Sequence, residues 1–165
     1  MSHKSGEHES LSPALHLEWD DLDEEDLERL AARVAQTLKP GDVIVLSGEV
    51  GSGKTTFVRA AARSLNIAGR VTSPTYQLAR SYEGDVDGRR IAVNHLDLYR
   101  LEEIGPQDVL ELDDYLDPQA VTFVEWAEPA LGLLQDPTLV RLSHQTPGTR
   151  RVRLEGPVVE RLEPC

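Results

Sequence analysis

Cysteine is almost missing from this chain. The only one, Cys165, is the last residue, so no internal disulfide can form, and a chain end is a poor seat for a catalytic thiol. The expected compartment is a reducing cytoplasm. No apolar run approaches the roughly 18 residues that span a bilayer, and no secretory leader is visible; a membrane partner is not expected. Concentrated positive charge is missing too. The net charge is −12, and the acids are gathered: residues 18–28 hold eight and residues 101–117 hold seven, with no basic residue in either block. The rest of the chain carries 14 acidic against 17 basic residues. Tight direct binding of nucleic acid needs clustered Lys and Arg, so that class is set aside. The acidic blocks read either as solvated helix faces or as docking sites for a basic partner.

A chain of 165 residues with 39% hydrophobic content fits one domain that buries roughly 70% of its unfolded surface. The expected division is a disordered leader over 1–13, one domain over 14–160 and a frayed end over 161–165. His3 and His8 in the leader are too isolated to argue for a metal site.

What the chain does have is Gly48-Glu49-Val50-Gly51-Ser52-Gly53-Lys54-Thr55-Thr56. A glycine, four residues, then Gly-Lys-Thr is the spacing of a phosphate-binding loop. Glycines let the backbone curl its N–H groups toward one point. Lys54 would reach the β- and γ-phosphates, and the Thr55 hydroxyl would sit on a bound Mg²⁺. The flanks supply the required context. Residues 42–47 (DVIVLS) read as a buried parallel strand. Phe57, Val58, Ala61, Ala62 and Leu65 then fall at helical spacing through Asn66. Strand, glycine loop and helix together predict a nucleoside triphosphate site.

Upstream, residues 15–19 alternate as an edge strand does. The acidic run 20–26 suits a helix N-terminus, and Leu27, Leu30, Ala31, Val34 and Leu38 form an apolar stripe that should stop at Lys39-Pro40-Gly41. Downstream, Pro74 holds Ser73 and Thr75 in an extended or turn segment. Residues 76–82 read as a strand, 84–88 as a turn, and 90–96 as its antiparallel return. Residues 107–116 predict short acidic helices and 127–134 a helix or turn. Closing strands follow at 140–142 and 151–154. The predicted fold class is α/β: a P-loop NTPase-like three-layer α/β/α sandwich on a mixed, mostly parallel sheet that includes an antiparallel hairpin.

Two apolar strands end in a carboxylate, at Asp97 and at Glu125. A hard cation such as Mg²⁺ prefers oxygen ligands, so both are candidates for holding it directly or through water, or for orienting the attacking water. His95 reads as a polar cap on the site or as a structural histidine, and Trp126 as a core or rim aromatic. Arg150, Arg151 and Arg153 are open to a nucleotide, to a partner's acids, or to solvation at strand ends.

The loop, then Ser73-Pro74-Thr75-Tyr76, then His95-Leu96-Asp97-Leu98-Tyr99-Arg100-Leu101, then Val124-Glu125-Trp126 come in the order seen in the TsaE family, which the chain resembles from about Leu27 to Leu142. The resemblance implies the bacterial ATPase of tRNA threonylcarbamoyladenosine biosynthesis, using ATP and Mg²⁺. It implies action on the TsaD–TsaB transferase pair, with tRNA met only through that complex. It also implies that Lys54 and the loop amides hold phosphate, that Thr55 and Glu125 bind Mg²⁺, and that Asp97 shares the metal-and-water region. Thr75 would lie in a switch-like segment near the γ-phosphate, and residues 24–27 near the base. Glu49 and Ser52 stand where Asp and Ala are usual, Ala127 stands where Pro is usual, and the family's late arginine is assigned to neither Arg150 nor Arg151. Two other readings compete: a small-molecule kinase, disfavoured because no arginine-bearing lid is visible, and a nucleotide-gated binding module in which hydrolysis is incidental.

Overall fold

The computed structural model describes residues 15–49, 51–67, 79–98, 116–125 and 128–162. The expectations for the leader, for Val50, Thr75, Trp126 and Ala127, and for residues 107–115 of the acidic helices lie outside these residues.

Seven strands form one sheet: β1 (His16–Leu22), β2 (Val43–Ser47), β3 (Ala79–Val86), β4 (Arg89–Asp97), β5 (Ala120–Glu125), β6 (Thr138–Thr146) and β7 (Thr149–Glu155). Their order across the sheet is β1-β7-β6-β2-β5-β4-β3. The central quartet β6-β2-β5-β4 is parallel, and antiparallel strands finish both sides. This is the mixed α/β architecture expected from the sequence. The central strands are apolar for a physical reason: Ile44, Val45 and Leu46 of β2 and all six residues of β5 are buried, as a parallel strand covered on both faces requires.

Helix α1 (Glu24–Ala35) and helix α2 (Lys54–Ser64) pack with Ile44, Leu46, Val121, Phe123, Val140 and Leu142 in one apolar cluster. The α1 stripe of Leu27, Leu30, Ala31 and Val34 is buried there as expected. On the other sheet face, Val45, Leu96 and Val124 are buried as well. Helix α3 (Pro157–Leu162) brings Val158 and Val159 into the main cluster. It runs two residues past the expected end of the domain. The sequence reading missed it because a six-residue helix holds too few apolar positions to show a period. Its Arg161 forks onto Asp42, with Nη1 and Nη2 at 2.6 and 3.1 Å from the two carboxylate oxygens, and also donates to the Thr37 carbonyl at 2.9 Å.

The β3–β4 turn is tighter than expected. Only Asp87 and Gly88, both at positive φ, make it, which is the two-residue hairpin geometry whose twist matches the strands. Gly84 therefore belongs to β3. A Cβ there would meet the Leu65 carbonyl oxygen at 2.4 Å, so glycine is what lets the hairpin lie against the end of α2.

Helix α1 starts with a reciprocal cap: the Asp26 N–H donates to Asp23, and the Asp23 N–H donates to the Asp26 carboxylate at 3.1 Å. The Asp23 backbone N–H, aided by Arg29, holds the Asp26 carboxyl below its ordinary value. A folded-state pKa depressed in this way contributes stability above the unfolded value, and that stability is lost as pH falls through the folded one. Asp26→Asn should therefore melt below the parent at neutral pH. The gap should close in urea titrations carried to pH 3 and below, whereas an unchanged gap would mean that the carboxylate charge is irrelevant to the cap.

Candidate functional site

The sequence order puts β2, the glycine loop and α2 in succession, and the parallel quartet then brings the ends of β4, β5 and β6 to the same edge of the sheet. In open α/β sheets ligands bind outside the carboxyl ends of the strands. Both strand-end carboxylates arrive there. Glu125 is the register partner of Leu46 on β2 and of Asp97 on β4.

The loop has the backbone that its glycines allow. Gly48, Gly51 and Gly53 lie at φ of +151°, +82° and +110°. At Gly48 a Cβ would sit 2.5 Å from the Leu142 carbonyl oxygen, so β6 closes against the start of the loop. Gly53 is the N-cap of α2, and its carbonyl accepts from the Phe57 N–H at 2.8 Å. The first four N–H groups of a helix have no partner within it, so the loop delivers donors and a positive dipole end to one place.

Lys54 opens α2 and is buried. Its ammonium donates to the Gly48 carbonyl and, at 3.1 Å, to the Glu49 carbonyl. The charge is thus folded back over the loop it would serve, held by two neutral carbonyls that a phosphate would outcompete. Thr55 and Thr56 follow in the first turn of the helix, half-buried. Ser52 is fully buried, and among the described residues its hydroxyl has no hydrogen-bond partner.

Glu125 is 3% exposed, and its Oε2 lies 2.7 Å from Nε2 of His95, which is 1% exposed. A buried carboxylate accepts, so the imidazole Nε2 donates. Among the described residues Nδ1 of the same ring is buried without a partner. Asp97 is half-buried beside this pair. Among the described residues no three His, Cys, Asp or Glu side chains group closely enough to cage a metal by themselves. That donor set, one buried carboxylate and a threonine hydroxyl at the glycine loop, fits Mg²⁺, which is commonly held by one or two carboxylates, substrate phosphates and water.

The late arginines separate cleanly. Arg151 pairs with Asp20 at 2.6 Å and Arg153 with Glu18 at 3.1 Å across the β1–β7 ladder, and Asp20 raises the Arg151 pKa further. Arg150 points to the opposite face. Its Nη1 lies 2.9 Å from where a Gly53 Cβ would be, its Nε is buried without a partner, and among the described residues no acid pairs with it. Strand alternation around buried Val152 and Leu154 was the available signal: it puts 150 on the helix-covered face and 151 and 153 on the other.

Comparison with known proteins agrees with this layout. Residues 22–152 match the family model "Threonylcarbamoyl adenosine biosynthesis protein TsaE". The chain is 38% identical over 111 residues to the tRNA threonylcarbamoyladenosine biosynthesis protein TsaE of Bacillus subtilis, covering 67% of this chain and 66% of that protein. It is 38% identical over 129 residues to the TsaE of Mycobacterium bovis, covering 73% and 76%. The crystal structure of Bacillus subtilis YdiB superposes with a TM-score of 0.69 at 28% identity, covering 87% of this chain and 86% of that one. Among the described residues no helix is long and apolar enough to cross a membrane. With most of its length matched, and with glycine loop, lysine and strand-end carboxylates at one sheet edge, the chain belongs to the TsaE family of tRNA threonylcarbamoyladenosine biosynthesis.

Proposed function

We propose that this protein binds ATP with Mg²⁺ at the loop 48–56, hydrolyses it, and uses the cycle as a switch on the TsaD–TsaB threonylcarbamoyl transferase pair. The observation that carries the reading is the register of β2 against β5, which sets the buried Glu125 beside Leu46, two residues before the glycine loop begins. In this reading the amides of Gly48 to Thr56, Val50 included, and the Lys54 ammonium take the phosphates. The Thr55 hydroxyl and Glu125 hold Mg²⁺. Asp97 serves the metal or the attacking water, and Thr75 faces the γ-phosphate. When bound, Mg²⁺ would neutralise charge on the transferring phosphoryl group.

Arg150 joins this set as a cation beside the loop, positioned to turn toward a polyanion because among the described residues no acid holds it. One such cation does not make a complete clamp on the transition-state charge, so turnover without partners should be slow. Nucleic acid enters only through the complex, as the charge distribution requires, and the expected site of action is the cytoplasm.

The switch differs from a mere nucleotide-gated module in what drives release. Purified TsaD–TsaB should stay bound in the presence of a non-hydrolysable ATP analogue and leave only when ATP is turned over, as read by size-exclusion chromatography. Release by the analogue alone would reduce hydrolysis to an incidental activity.

A further inference from the structure

The mechanism just described leaves His95 unused, yet it is one of the most deeply buried polar side chains in the protein. Resting on the reading of Glu125 as a magnesium ligand, we infer that His95 is a positioning residue. Its imidazole fixes the Glu125 carboxylate in the orientation in which it can hold the cation.

The geometry is specific. In the β4–β5 ladder His95 lies opposite Phe123, and Asp97 lies opposite Glu125, so the histidine reaches diagonally along one sheet face to a side chain two residues farther on. It takes Oε2 at 2.7 Å, and one oxygen, Oε1, is left. Among the described residues Glu125 has no other side-chain partner. Glu125 is 3% exposed, and a polar group buried this deeply needs a hydrogen-bond partner to hold it in one orientation. With the imidazole removed, the carboxylate would turn away or swing toward water, and either change misplaces the oxygen that a hard cation needs. The partners behind ligating groups matter for this reason, and their loss commonly weakens metal binding by about 10- to 100-fold. The ring itself sits badly: among the described residues Nδ1 is buried with no hydrogen bond, a cost that an apolar residue at position 95 would avoid. A side chain kept only for packing has no need of that nitrogen.

The test separates grip on phosphate from grip on metal. A fluorescent ADP analogue is titrated onto the full-length protein in EDTA and then across a Mg²⁺ series. His95→Leu should bind the analogue in EDTA within about threefold of the parent, because amides and Lys54 are untouched. It should need about 10- to 100-fold more Mg²⁺ to reach the high-affinity state. His95→Gln, whose amide can reach the same oxygen, should recover most of the loss, and His95→Asn, one methylene shorter, should not. This Gln–Asn contrast decides the matter even if the leucine variant fails to fold. An unchanged Mg²⁺ requirement in a folded His95→Leu, or equal behaviour of Gln and Asn, overturns the positioning role. If Glu125→Gln also leaves the Mg²⁺ requirement unchanged, the magnesium assignment of Glu125 is what has failed.

Discussion

Lys54→Ala is expected to abolish measurable ATP hydrolysis and to weaken nucleotide binding by about two orders of magnitude or more, while the protein melts within a few degrees of the parent. The size follows from what is removed. The ammonium is a full charge aimed at a polyanion from a site largely shielded from water, where a charge-assisted hydrogen bond is worth about twice a neutral one, and loss of a single such donor to developing charge typically costs 10²–10³ in rate. The small effect on stability follows from the fold. In the free protein the Lys54 ammonium donates to the carbonyls of Gly48 and Glu49, exposed or half-buried residues whose oxygens water can reach. Alanine is also the best helix former for the first residue of α2. Isothermal titration calorimetry with ADP and a coupled phosphate-release assay measure both quantities. Wild-type affinity in the variant would mean that the nucleotide sits somewhere else.

Glu125→Ala should separate the same two properties differently. ATP hydrolysis should fall by more than about 100-fold and the Mg²⁺ dependence of nucleotide binding should disappear, with Mg²⁺-free binding preserved. Stability has two opposed contributions. Removing a buried carboxylate relieves its desolvation, but His95 is left with both ring nitrogens unpartnered, a loss of about 1–3 kcal/mol. Glu125→Gln keeps an acceptor for His95 and removes only the charge, so it should be the more stable of the two and equally inactive. Wild-type turnover and Mg²⁺ affinity in Glu125→Ala would show the metal assignment to be wrong.

Much of this site was legible because it is local in sequence. The loop, its strand and its helix occupy consecutive residues, and the glycine pattern carries its own backbone requirement, so the strand Val43–Ser47 and the helix Lys54–Ser64 are where the sequence pattern puts them. Asp97 and Glu125 were legible as strand ends, but their meeting was not. It depends on β4 and β5 being parallel neighbours in register, and no pattern within either strand encodes a partner. The same limit hid the His95–Glu125 bond, made between residues thirty positions apart. The arginines were a subtler case: three close together looked equivalent, yet alternation sends Arg150 to the loop and commits Arg151 and Arg153 to acids on β1. The capping box was foreshadowed only as acidity near a helix start, because the run 20–26 offers several carboxylates and sequence alone does not choose Asp23 and Asp26. Gly84 reads as part of a turn because glycine usually marks one; in the fold it answers to a close approach by the backbone at the end of α2.

The footing of the glycine loop has a mechanical consequence. Strand β2 is laced to β5 on one side and β6 on the other, and its root is bolted by Arg161 gripping Asp42. Sliding that strand by even one residue would tear two ladders at once and turn its apolar side chains inside out. The loop therefore stands on an anvil rather than a lever: any stroke that accompanies nucleotide turnover has to be delivered by the neighbours that strike it.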